Sequence, residues 1–209
     1  IFGRSKLKMN FLENKFNSDK VAIIYDKFKY TYKDLVNRIS FFSDLIFSNQ
    51  IHPGEIVIIK GNYSIDAISL FFALCKNKNI IVPIISENNE ELKKKINISN
   101  ASTIIEIKDL NIKKLKVDTV ENEMILSLIK NEKSGLILFS SGSTGEPKAM
   151  LHDLDNLIST YKSTKKRNLV FLVFLMFDHI GGLNTMLNIL SMQSTMVLPV
   201  ERSPNHMAH

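Results

Sequence analysis

Leu136-Ile137-Leu138-Phe139 runs directly into Ser140-Ser141-Gly142-Ser143-Thr144-Gly145-Glu146-Pro147-Lys148. The apolar run, from Gly135 to Phe139, predicts a short buried strand. The residues after it supply a loop with four hydroxyls, two glycines, a proline and a lysine. Ligands of α/β sheets bind beyond the carboxyl ends of the strands, so the loop stands where a site is expected. Glycines let successive backbone N–H groups approach an anion, hydroxyls donate to its oxygens, and a lysine adds a point charge. A Ser/Gly-rich surface loop without a ligand is the plain alternative. Against it stands the order of strand, hydroxyl-glycine loop, proline and lysine. Pro147 occupies the place where a Walker loop has its second glycine, which argues against an ordinary P-loop kinase or ATPase.

Outward from this loop, strands and helices alternate. Toward the N-terminus, Leu7, Phe11, Leu12 and Phe16 suit one amphipathic helix. Val21–Tyr25 and Phe28–Tyr32 read as a hairpin turning at Asp26-Lys27. Thr31 with Asp34 three residues on resembles a capping box for a helix with apolar residues at Leu35, Ile39, Phe42 and Leu45. A turn at Pro53-Gly54 leads to a strand from Glu55 to Lys60. Ser64 caps a helix reaching about Lys76, and Ile80–Ile85 is a strand. A polar helix spans Glu90–Ile98 and a strand Thr103–Ile107. Residues 108–120 give no clear signal, and Glu121–Lys130 reads as a helix. Beyond the loop, Leu169–Phe177 contains a strand read as buried. Leu183–Leu190 is a helix and Thr195–Leu198 a strand. The fold expected is α/β, with largely parallel sheets flanked by helices, and no linker or repeat divides residues 1–209.

The composition bounds the function classes. With 209 residues, 44% hydrophobic and 23% charged, the chain reads as a soluble globular protein. No apolar run approaches the ~18 residues of a membrane helix, and no secretory signal is visible at the start. One cysteine, Cys75, rules out an internal disulfide framework and fits a reducing cytoplasm; amid Phe71, Phe72 and Leu74 it reads as a packed thiol. The net charge of +6 invites a nucleic-acid reading. Its basic residues are scattered, as in Lys93-Lys94-Lys95, Lys113-Lys114 and Lys165-Lys166-Arg167, without a nucleic-acid module. A solvated basic face is expected instead. His52, His152, His206 and His209 have no constellation around them, so no metal site is expected.

Ser140 to Lys148 matches [ST]-S-G-[ST]-T-G-x-P-K, the signature of the adenylate-forming superfamily of acyl-CoA synthetases, firefly-type luciferases and nonribosomal peptide adenylation domains. The chain resembles that family elsewhere too. Tyr30-Thr31-Tyr32-Lys33-Asp34-Leu35 is similar to its T-Y-x-[ED]-L element, Pro53–Lys60 to its G-D-x-V strand, and Asn62 to the start of its next helix. His179-Ile180-Gly181-Gly182-Leu183 is similar to the H-x-x-G-L segment of acyl-CoA synthetases. The resemblance covers about residues 20–209. It implies ATP, Mg²⁺ and a carboxylic acid as ligands, and a thiol acceptor such as CoA or phosphopantetheine. Ser140, Ser141, Gly142, Ser143, Thr144, Gly145 and Lys148 would hold the phosphates, with Thr144 and Lys148 catalytic. His179, Gly181 and Gly182 would line the acid tunnel.

Two further features bear on this implication. Phe177-Asp178 is similar to a Phe-Asp pair of peptide-synthetase adenylation domains, where the aspartate holds an amino group. An amino-acid substrate is therefore the alternative, with Asp178 otherwise free to cap the helix near Gly181. The chain also departs from the family. Ala149 stands where Gly is usual, Lys76-Asn77-Lys78 replaces K-A-G, and the later motifs are absent. Ser203-Pro204 opens a helix that the chain does not complete. The expectation is an incomplete N-terminal domain of an adenylate-forming enzyme, inactive alone. A non-catalytic binding module on the same fold is the rival.

Overall fold

The computed structural model describes residues 16, 18–86, 88–116, 120–141 and 146–200. The helix expected before residue 16 and the Ser203-Pro204 helix start lie outside the described residues.

The order of elements begins with a hairpin, β1 (Val21–Tyr25) and β2 (Phe28–Thr31), followed by α1 (Tyr32–Ser48). Next come β3 (Ile56–Lys60), α2 (Ile65–Lys76), β4 (Ile80–Ile84), α3 (Asn89–Ser99), β5 (Thr103–Glu106) and β6 (Asn111–Lys114). The remainder is α4 (Glu123–Lys130), β7 (Gly135–Ser141), β8 (Pro147–Asp153), α5 (Leu154–Ser159), β9 (Val170–Leu172), α6 (Ile180–Ser191) and β10 (Thr195–Leu198).

These strands form two sheets, ordered β2-β1-β10-β9 and β6-β5-β3-β4-β7-β8. Neighbours are parallel except for the three sequential hairpins β1–β2, β5–β6 and β7–β8. The expected α/β class with largely parallel sheets is what the chain adopts.

Local chemistry explains most element starts. Thr31 and Asp34 make the reciprocal capping box of α1, and Ser64 accepts from the Ala67 N–H at the start of α2. The central strands are apolar throughout because both faces of the six-stranded sheet are covered. Val57, Ile59, Ile81, Leu136 and Leu138 face the larger core, which continues through α1 and α2 to the other sheet. Ile56, Ile58, Ile80, Val82 and Ile137 face the second core, beneath α3 and α4. Helix α2 is buried continuously from Ala67 to Cys75, as expected of a helix apolar on nearly every side. The Tyr32 hydroxyl, at the start of α1, donates to the Ser194 carbonyl at 2.7 Å and ties α1 to the loop before β10. Cys75 is buried, with its sulfur 3.2 Å from the Ser134 hydroxyl.

One expectation needs correction, and two stretches left without an assignment gain one. Leu169–Phe177 is not a buried strand: β9 spans only Val170–Leu172 at the edge of its sheet, leaving Val170 67% exposed. Of that run Val173 and Phe177 are buried in the core, and Phe171 packs against it. Residues 108–120, which gave no signal, contain β6, an antiparallel edge strand whose Lys113 and Lys114 face solvent and guard the edge. Finally, Ala149-Met150-Leu151 belongs to β8, which turns the segment after the loop into the second limb of a hairpin.

Candidate functional site

Strand β7 leaves the core at Gly135, where a Cβ would sit 2.7 Å from the Ile80 side chain. It runs outward beside β4 and pairs with β8 until Ser140 faces Lys148 and Ser141 faces Pro147. The hairpin thus places Ser140 and the exposed Lys148 across from each other at its mouth. Gly142, Ser143, Thr144 and Gly145 lie outside the described residues. On the β8 limb, the Glu146 carboxylate takes an ion pair from Lys94 of α3 at 2.8 Å.

The same helix reaches the β7 limb. Lys95, only 7% exposed, holds its ammonium 5.6 Å from the centroid of the Phe139 ring, one residue before Ser140. Its charge is paired with Glu91 at 2.5 Å, and the other Glu91 oxygen accepts from the Ser86 hydroxyl at 2.6 Å. Reading Lys93-Lys94-Lys95 as a solvated face therefore fails at Lys95. The signal was available in helical spacing: Leu92, Lys95 and Ser99 share the buried face of α3.

Beside Ser86, the Ile85 N–H donates to Asp178 at 3.4 Å, joining the end of β4 to the segment between β9 and α6. Asp178 is half-buried. Burial pushes its carboxyl above the usual range, and Glu91 adds to the rise; the Ile85 N–H and Lys95 pull against it. Its neighbour Phe177 is buried edge-on against Tyr63 and Phe71, at 4.9 and 6.0 Å between centroids. Capping of α6 falls to His179 and not to Asp178. The exposed His179 accepts the Gly181 N–H at Nδ1 (3.1 Å), which leaves Nε2 as the ring nitrogen open to a partner. Asp178 is held instead by the β4 end. Gly182 is required by close approach, since a Cβ there would lie 2.0 Å from the Met176 carbonyl oxygen.

A cavity of about 670 Å³ opens where the carboxyl ends of β1, β3, β4 and β5 converge. Tyr25, Ile85, Ile107 and Met176 give it apolar wall; Asn62, Ser64 and Ser86 line it with polar groups. Across it, the Lys60–Glu106 ion pair bridges β3 and β5 at 3.1 Å, with Lys108 beside it. Its place agrees with the rule that open α/β sheets bind ligands at strand ends. Among the described residues no three His, Cys, Asp or Glu side chains gather to hold a metal ion, and no helix is long and apolar enough to cross a membrane.

Three comparisons bear on this arrangement. A D-alanine–D-alanyl carrier protein ligase of Lacticaseibacillus rhamnosus is 27% identical over 157 residues, which is 67% of this chain and 30% of that protein. The fold superposes on the Klebsiella oxytoca NpsA N-terminal subdomain in complex with 3-hydroxyanthranilyl-AMSN, with a TM-score of 0.73 at 20% identity, covering 94% of this chain and 53% of that one. It also matches the Bacillus subtilis o-succinylbenzoate CoA synthetase MenE in complex with OSB-AMP, with a TM-score of 0.72 at 14% identity, covering 96% and 58%. The chain therefore spans under a third of the curated relative and little more than half of these solved chains. The model of the family described as AMP-binding enzyme matches residues 13–209, a span that takes in both sheets, the β7–β8 hairpin and the segment carrying Asp178 and His179, and the chain belongs to that family.

Proposed function

We propose that the chain is the first part of the N-terminal domain of an enzyme that activates a carboxylic acid with ATP. A carboxylate oxygen attacks the α-phosphorus, the bond to the β-phosphate oxygen breaks, and pyrophosphate leaves. A thiol, from CoA or a carrier's phosphopantetheine, then attacks the acyl carbon and releases AMP. The observation that carries this reading is the Ser140–Lys148 motif at the mouth of a hairpin whose first strand emerges from the core of a parallel sheet.

In this reading Ser140, Ser141, Gly142, Ser143, Thr144, Gly145 and Lys148 hold the polyphosphate. Lys148 and Thr144 stabilise charge on the departing pyrophosphate. Mg²⁺ would arrive with the nucleotide and neutralise phosphate charge; the described residues offer no carboxylate cluster for it. His179, Gly181 and Gly182 lie at the start of α6, where Nε2 of His179 can meet an acid. A cytoplasmic location, with ATP and reduced thiols, fits the lone buried Cys75.

An amino acid is the second reading of the substrate. It is favoured by Asp178, a half-buried carboxylate that meets the Ile85 N–H at the strand ends, and by the D-alanine named in the relatives. Such a carboxylate is suited to an ammonium group.

The test is acid-dependent pyrophosphate exchange by the full-length enzyme. Lys148→Ala and Thr144→Ala should each lower the rate about a hundredfold, the loss of one transition-state donor. Wild-type rates in both variants would refute the loop assignment. Amino-acid-dependent exchange that vanishes in Asp178→Asn selects the second reading. Fatty or aryl acid exchange sensitive mainly to His179 selects the first.

A further inference from the structure

We propose that the Glu91–Lys95 pair, whose lysine is buried and whose glutamate is partly exposed, is a specificity-determining element that tunes the charge Asp178 presents at the strand ends, so that the site keeps an anion for a substrate ammonium. Its catalytic consequence rests on the amino-acid reading above; its electrostatic part does not.

A lysine is seldom buried unless something holds it there. Position 95 faces inward beside Leu92 and Ser99 and under the Phe139 ring, where an apolar side chain would pack without desolvating a charge. The ammonium is paired with Glu91 at 2.5 Å, and Glu91 is itself anchored to Ser86 at 2.6 Å. Ser86 comes directly after Ile85, whose N–H meets Asp178. The pair and Asp178 therefore lean on consecutive residues at the end of β4. Two acids and one base there leave a net charge of −1 when all are ionised.

Lys95 has a definite part in that balance. Burial favours a neutral Asp178 and Glu91 reinforces it, whereas the Ile85 N–H and Lys95 pull toward the carboxylate. The other charged groups of the neighbourhood are more distant in kind. Lys60 and Glu106 pair with each other across the cavity, Lys108 lines it too, and His179 next to Asp178 turns Nδ1 to its own helix. Without Lys95, Asp178 would take up a proton at higher pH and offer a neutral acid, which holds an ammonium poorly. With Lys95 in place, the pH at which it takes up a proton lies lower, and the carboxylate persists over a wider range. The substrate class that this charge pattern selects is a carboxylic acid bearing a protonated amine.

The experiment tracks the Asp178 carboxyl carbon by NMR as pH is varied on this chain, with Asp178→Asn assigning the signal. Lys95→Met should move its midpoint up, and Glu91→Gln should move it down. Lys95→Arg should restore the starting value. Opposite shifts are not expected of two variants that merely loosen α3. Midpoints that stay in place, or move in the same direction, overturn the proposal; if Lys95→Met fails to fold, Glu91→Gln and Lys95→Arg still decide it. In the full-length enzyme the acidic limb of amino-acid-dependent exchange should move with the midpoint. Opposite NMR shifts without any amino-acid-dependent exchange would refute the substrate reading and leave the charge coupling standing.

Discussion

Gly181 and Gly182 are adjacent, and both belong to the segment proposed to meet the acid, yet a methyl group should affect them in opposite ways. At Gly182 a Cβ would lie 2.0 Å from the Met176 carbonyl oxygen and 2.9 Å from its carbon. That is about 1 Å inside the 3.0 Å that Cβ atoms tolerate, and the obstacle is backbone. Either α6 or the segment carrying Met176 and Asp178 must move. Forcing extra carbon into packed structure costs roughly 1–3 kcal/mol, and a backbone obstacle places this case at the upper end. For a chain of this size each kcal/mol lowers Tm by roughly 2–4 °C, so Gly182→Ala should melt about 6–12 °C low. At Gly181 the nearest atoms are side-chain atoms of His179 and Leu175, both at 3.2 Å, and the backbone is helical. Alanine gains up to ~1 kcal/mol over glycine within a helix, so Gly181→Ala should be neutral or slightly stabilising. Thermal unfolding monitored by circular dichroism measures both. A Gly182→Ala variant that melts like wild type, or a Gly181→Ala variant equally damaged, would refute the close-packing argument.

Other outcomes depend on single groups. Lys78 has a left-handed backbone (φ 63°), while its ammonium pairs with Asp155 at 2.6 Å. Lys78→Gly should therefore be more stable than Lys78→Ala by about 1 kcal/mol, since both lose the pair and only alanine keeps the strain. Thr31→Ala removes half of the α1 capping box and should cost about 1 kcal/mol in denaturant unfolding. The Thr31 hydrogen bonds hold the Asp34 carboxyl below its usual range, so its contribution is present above the ordinary pKa of 3.8 and fades as pH falls through the lowered one. Burial pushes the Cys75 thiol up to about 12, so a thiol reagent at pH 8 should label the chain only after denaturation. Rapid labelling of the native chain would place Cys75 outside the core.

What the sequence made legible was decided within a few residues. The Thr31–Asp34 box, the Ser64 cap and the unbroken apolar runs of β3 and β4 each have one good local solution, and the structure adopts it. The Ser140–Lys148 motif marked the link that follows β7, although not the pairing of β8 with it. What stayed hidden was settled by partners distant in the chain. Asn111-Ile112-Lys113-Lys114 has little strand character of its own and becomes β6 because β5 offers a free edge. Val170–Leu172 looks like core by composition, but it is the last strand of its sheet and has a neighbour on one side only.

The choice between Asp178 and His179 shows how this works at the site itself. Both precede α6 and either could cap it, so local sequence leaves the matter open. The end of β4 resolves it: the Ile85 N–H engages Asp178, and the cap passes to the His179 ring. One long-range hydrogen bond thus assigns two side chains their work. It draws the carboxylate into half-burial near Lys95, where its charge depends on its neighbours, and leaves the imidazole exposed with Nε2 outward. The two residues proposed to meet the substrate were therefore visible in the sequence, while their hydrogen-bonding partners were set by the end of a strand 93 residues away.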